Sequence, residues 1–211
     1  IAGGIDLNNG GTVTGGITNN LGGTISRSGS NAAVMLSTST VGSITNAGTI
    51  VSDYVGIGLA GGTTPSLGVL PSSVTGAISN SGTIIGGSNG IYLSSSTAGS
   101  ISNSGTIGGR DGAVLISNST VGSITNEVGG TISGTGQTAL RIQNSSAISG
   151  GIVNDGTISG AQTGLYVSNG SSVAGDITNG GTIEGVRSST SGTGFGLVVT
   201  VGSTVGTITN S

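Results

Sequence analysis

Short alternations of aliphatic and polar residues recur along the chain with the two-residue period of strands. In Gly42-Ser43-Ile44-Thr45-Asn46 the alternation sets Ile44 and Asn46 on one side and Ser43 and Thr45 on the other. This string, G-x-I-x-N, returns with its asparagine at Asn19, Asn46, Asn80, Asn103, Asn126, Asn154, Asn179 and Asn210, in steps of 27, 34, 23, 23, 28, 25 and 31 residues. Gly-Thr-Ile follows seven of the eight copies, as at Gly48-Thr49-Ile50. A third element reads small–aliphatic–x–aliphatic, as in Gly56-Ile57-Gly58-Leu59 and Gly164-Leu165-Tyr166-Val167. A polar stretch and an aliphatic such as Val41, Val121 or Val173 then lead into the next copy. Each unit therefore predicts three short strands separated by turns that carry Gly or Asn.

About five aliphatics per unit face inward, for example Val41, Ile44, Ile50, Ile57 and Leu59. So few apolar side chains cannot offset the conformational entropy of ordering one coil alone. Stacked coils pair each strand with its equivalents above and below, and parallel crossovers are almost always right-handed. The expectation is an all-β fold without helices, a right-handed parallel β-helix (β-solenoid) of about eight three-stranded rungs. Eight rungs would make a rod about 38 Å long. Gly4 to Asn19 aligns without gaps on Gly164 to Asn179, and the chain ends just before another Gly-Thr-Ile. Residues 1–211 are thus expected to form a single solenoid segment that begins and ends within a repeat and belongs to a longer array.

Composition narrows the chemistry. Among 211 residues 46 are Gly, 5% are charged and 2% aromatic; Cys, His and Trp are absent, and all four basic residues are Arg. Without His, Cys or Lys there is no route to zinc sites, thiol nucleophiles, Ser-His-Asp triads, disulfides or Schiff bases. A net charge of −3 with four scattered Arg leaves no basic stripe for nucleic acid. No apolar run is long enough for a membrane-spanning helix. The reading is therefore not an enzyme, with no cofactor, no metal, no nucleic-acid partner and no membrane insertion of this segment.

The eight asparagines are read as a structural ladder whose amides hydrogen-bond up and down the stack, rather than as a ligand row. The Thr of Gly-Thr-Ile is read as structural too. An ice-binding face would need two regular Thr ranks, and the neighbouring outward rank of Gly16, Ser43, Ala77, Ser100 and Ser123 is irregular. The acids Asp6, Asp53, Asp111, Glu127, Asp155, Asp176 and Glu184 offer no catalytic pair at like registers of adjacent rungs. Arg27, Asp53, Arg110, Asp111, Glu184 and Arg187 gather at the corner after the second strand, either a solvated edge or a recognition edge.

The outward position of the third strand runs Asp6, Met35, Gly58, Tyr92, Leu115, Arg141, Tyr166 and Val198. Tyr92, Leu115, Arg141 and Tyr166 form the candidate contact row, for a glycan or a neighbouring rod. Insertions at about 60–73, holding Pro65 and Pro71, and at 184–195 interrupt the period. Asn-x-Ser/Thr sequons at Asn118, Asn144 and Asn169 share one turn register, which turn chemistry explains better than sugar attachment.

The repeated G-x-I-x-N-x-G-T-I followed by G-I-x-L, as in Gly76 to Ile84 with Gly90 to Leu93, resembles the passenger regions of bacterial autotransporters. The resemblance spans essentially the whole chain at the level of the repeat. It implies a right-handed β-helix secreted across the outer membrane of a Gram-negative bacterium with a carboxyl-terminal β-barrel translocator. Neither a translocator, a signal peptide nor a protease motif lies within these residues. The implied function is an extracellular structural or adhesive module at the bacterial outer-membrane surface, serving adhesion, biofilm formation or display. The alternatives are a self-polymerising filament subunit and, behind it, a carbohydrate-active enzyme or phage spike. Expected partners are neighbouring rods, side by side or end to end, and a host or cell-surface glycan or protein.

Overall fold

In a computed structural model, residues 1–64, 68–186 and 194–211 are described, and they contain strands and turns without helices. The chain winds as a parallel β-solenoid of about seven turns, the eight Asn copies bounding seven steps. Three sheets run along the rod. The Asn sheet has twelve strands and carries the Val segment and the G-x-I-x-N strand of each rung, as in Thr40–Asn46. The Thr sheet holds the seven Gly-Thr-Ile strands, from Thr24–Arg27 to Thr182–Gly185. The third sheet has eight strands, from Ile5–Leu7 through Asn89–Ser94 to Phe195–Val199.

Register is kept residue for residue. Thr83 lies between Thr49 and Thr106, Ile84 between Ile50 and Ile107, and Asn80 between Asn46 and Asn103. In the first rungs of the Asn sheet it slips only at a bulge, between Val13 and Gly16 and after Val74. That bulge lets the Val segment and the Asn strand bend within one sheet.

The inward columns fill the interior. Val41, Ile44, Ile50, Ile57 and Leu59 are at most 1% exposed, and the same five positions are buried in the central rungs. Gly recurs because adjacent coils nearly touch. A Cβ on Gly105 would collide with the carbonyl oxygen of Gly82, and one on Gly82 with that of Gly48. These glycines are needed for close backbone approach, not for their φ angles.

The corner after the third strand asks for something different. Asn9, Thr38, Ser95, Asn118, Asn144, Asn169 and Val201 occupy the same place in seven rungs, all with φ between 47° and 58°. The eighth place is Gly61, where the long insertion leaves the rod. It forms an antiparallel two-stranded ribbon, Gly62–Thr64 against Gly68–Leu70, before Ser72 rejoins the Asn sheet. Pro65 and Leu67 lie outside the described residues, as do Arg187 and most of the 184–195 insertion.

Candidate functional site

The interior asparagines make one hydrogen-bonded chain. The Nδ2 of each donates to the Oδ1 of the next, from Asn19 through Asn46, Asn80, Asn103, Asn126, Asn154 and Asn179 to Asn210, at 2.6–2.8 Å. From Asn19 to Asn154 the second Nδ2 proton is shared between two backbone carbonyls. Asn46 reaches Gly48 O at 3.2 Å and Thr83 O at 3.0 Å, and Asn103 reaches Gly105 O at 3.1 Å and Thr131 O at 3.2 Å. Each amide thus ties its own turn, the next turn and the next asparagine together. All seven amide-to-amide bonds run the same way, so neighbours polarise one another. With Asn46, Asn103, Asn126 and Asn154 at 0% exposure, the amides have no surface to offer a ligand.

A second buried polar ladder stands at another corner and escaped the sequence reading. Ser39, Ser96, Ser119, Ser146 and Ser171 each receive a hydroxyl acceptor from the next rung: Ser39 N donates to Ser72 Oγ, and Ser96, Ser119, Ser146 and Ser171 N donate to the Oγ of Ser119, Ser146, Ser171 and Ser203, at 3.0–3.4 Å. The hydroxyls in turn donate to carbonyls, Ser96 Oγ to Ser94 O and Ser119 Oγ to Ser117 O, both at 2.8 Å. Its signal is Ser-x-aliphatic, as in Ser39-Thr40-Val41 and Ser119-Thr120-Val121. Ser146 and Ser171, the hydroxyl residues of the sequons at Asn144 and Asn169, belong to this ladder and are 1% exposed.

On the outside, Tyr92, Leu115, Arg141 and Tyr166 stand in consecutive register on the third sheet, each half-buried. The Arg141 guanidinium lies 5.6 Å from the centre of the Tyr166 ring, within cation–π range. Its Nε is buried without a hydrogen-bond partner. The Tyr166 hydroxyl sits 3.4 Å from Thr200 Oγ1. Below Tyr92 the column passes through Gly58, flanked by Met35 on the other side. Beside Gly58, where a Cβ would already crowd Ala32 Cβ at 3.0 Å and Met35 Sδ at 3.1 Å, lies a mostly apolar notch of about 120 Å³, walled by Met35, Tyr54, Val55 and Tyr92. Tyr54, 46% exposed, is a wall that sequence reasoning had not singled out.

The charged residues expected to gather at the corner after the second strand divide: Arg27 and Glu184 lie on the Thr sheet itself, Glu184 opposite Ser159, while Asp53, Arg110 and Asp111 stand at the turn beyond it. Arg27 pairs with Asp6 at 3.6 Å, Gly29 N donates to Asp53 Oδ2 at 3.0 Å, Ser88 Oγ to Asp111 Oδ2 at 2.9 Å and Ser159 Oγ to Glu184 Oε1 at 3.0 Å. Arg110 is exposed. A shallow hollow of about 370 Å³ lies nearby, lined by Ser133, Gly134, Thr135, Ser159, Gly160, Ala161 and Val186, with neither charge nor aromatic ring. Asp155 and Asp176 do not meet: Asp176 Oδ1 accepts from Thr207 N at 2.8 Å, and Asp155 is exposed. Among the described residues no three of Asp, Glu, His or Cys converge as a metal site would require.

Comparison with protein-family models, curated proteins and solved structures returned no match to this chain. The site is therefore defined by its own side chains: a sealed interior that stiffens the rod and one outward column that combines aromatic rings, a cation and a notch.

Proposed function

We propose that this chain is an extracellular structural and adhesive module of a bacterial surface or secreted protein of autotransporter type. The observation that carries this reading is the regular stacking of the rungs, with its unbroken chain of amides running from Asn19 to Asn210. Such a stack resists bending and local unfolding, since every rung is bonded to both neighbours by backbone and side chain. A stiff rod repeats its outward positions at about 4.8 Å, which suits reach and multivalent contact. The low charge and the absence of Lys and Cys accord with life outside the cell.

Display tests this. The chain is fused to an outer-membrane anchor in a non-adherent bacterium, and settling and attachment to surfaces are compared with the anchor alone. The displayed rod is expected to increase one or both. Identical behaviour of the two strains would count against an adhesive role.

A further inference from the structure

We propose that the outward column from the Gly58 notch to Arg141 binds an acidic polysaccharide, a β-1,4-linked chain of uronic acids laid along the rod. This deepens the adhesive reading and rests on it. The first support is charge. Arg141 is the one cation in a column whose other members, from Met35 to Val198, are uncharged, and it has no carboxylate partner among the described residues. Packing on Tyr166 holds it in place and its Nε is already withdrawn from water, so much of the cost of immobilising a long side chain is met before a ligand arrives. A guanidinium presented this way suits a planar carboxylate.

The second support is shape. The notch at Gly58 sets an apolar floor and wall, Met35 and Val55, between two tyrosines, Tyr54 and Tyr92. A pyranose has the matching character: an apolar ring face that packs on aromatic carbons, with hydroxyls at its edge for the phenols. The third support is period. Gly58, Tyr92, Leu115 and Arg141 occupy four successive rungs, so the backbone positions of Gly58 and Arg141 stand about 14 Å apart. An extended β-1,4-linked glycan advances by nearly one rung per sugar. A ring in the notch therefore places the carboxylate of the third sugar beyond it at Arg141, with the intervening rings over Tyr92 and Leu115. A carboxylate-bearing tetramer is the shortest ligand that reaches both ends.

Calorimetric titration with a β-1,4-linked mannuronate tetramer tests this, beside the dimer, neutral cellotetraose and polyglutamate. The wild-type rod is expected to bind the tetramer in a salt-sensitive way, and the dimer, cellotetraose and polyglutamate at least about tenfold more weakly, the scale of one lost charge-assisted hydrogen bond. Arg141→Gln should weaken the tetramer by about tenfold and remove its advantage over cellotetraose. Tyr54→Ser, which opens the exposed wall of the notch, should weaken both sugars; Gly58→Val, which crowds Ala32 and Met35 and so displaces the floor of the notch, should do the same if it folds. Polyglutamate binding as tightly as the tetramer would transfer the site to acidic proteins and overturn the assignment. So would a dimer equal to the tetramer, or tetramer binding unchanged in Arg141→Gln. Should the wild type bind no sugar while its display still clumps cells, the column proposal falls and the adhesive reading stands.

Discussion

Two sets of asparagines in this molecule hold corners for opposite reasons. At the interior corner the residue is Asn in all eight copies, and in the middle of the rod the side chain is fully buried. At the outer corner, after the third strand, Asn118, Asn144 and Asn169 share their place with Thr38, Ser95 and Val201. The inner set is selected by its amide, which accepts from one side and donates to the other in every rung from Asn46 to Asn179. The outer set is selected by the backbone, because φ near +50° is easier for Asn than for most residues. Outer amides do bond across rungs, Asn169 Nδ2 to Asn144 Oδ1 at 3.2 Å and Asn118 Nδ2 to Ser95 Oγ at 3.0 Å, but in contact with water. A buried position therefore dictates one side chain, while an exposed turn dictates only a conformation and leaves the side chain free to vary.

The largest break in this contrast is expected from Asn103→Asp. An ionised carboxylate there cannot donate to Asn126 and lies in a dry interior, at a cost of about 4 kcal/mol or more near neutral pH. Only the protonated acid can accept from Asn80 and donate to Asn126, so folding raises this carboxyl's pKa. The folded protein then binds the extra proton, and stability recovers as pH falls through the raised value toward the unfolded one. Urea unfolding across a pH series should show that recovery; a pH-independent loss would contradict it.

Asn103→Leu follows, at about 3 kcal/mol, because it strands the Asn80 amide and the Asn126 oxygen together. Its unfolding midpoint should fall at every pH. Ser119→Ala removes the acceptor of Ser96 N and is expected to cost about 1.5 kcal/mol by the same measurement.

At the outer corner the sign reverses. Val201, β-branched at φ 47° and 72% exposed, is strained, so Val201→Asn should stabilise by about 1 kcal/mol. A lower melting temperature for that variant would show that the turn has a demand beyond its φ. Smallest in stability is the pair Tyr92→Ser with Tyr166→Ser on the contact column, within about 1 kcal/mol in all, with weakened self-association or ligand capture. Unchanged capture at unchanged stability would remove the column from function.

What could be read from the sequence follows the same division. Stacking turns each inward position into a column, so Ile44, Ile50 and Ile57 declared their burial by recurring in every unit. The Asn row was visible because nothing else occupies it. The serine ladder was hidden by composition: Ser39, Ser96 and Ser119 sit among many other serines, and the first rung carries Gly11 instead. The Gly58 notch was not legible because its walls come from separate rungs and from a corner, Met35, Tyr92 and Tyr54. Nor does the 60–73 insertion, with its two prolines, show the alternation that marks Gly62–Thr64 and Gly68–Leu70 as paired strands.

The most direct measurement is hydrogen exchange of the asparagine side-chain amides, resolved by NMR. The Nδ2 protons of Asn103, Asn126 and Asn154 are expected to exchange as slowly as the backbone amides of the buried strands, while those of Asn118 and Asn144 exchange rapidly. Equally rapid exchange in both sets would contradict a continuous hydrogen-bonded chain through the interior of the rod.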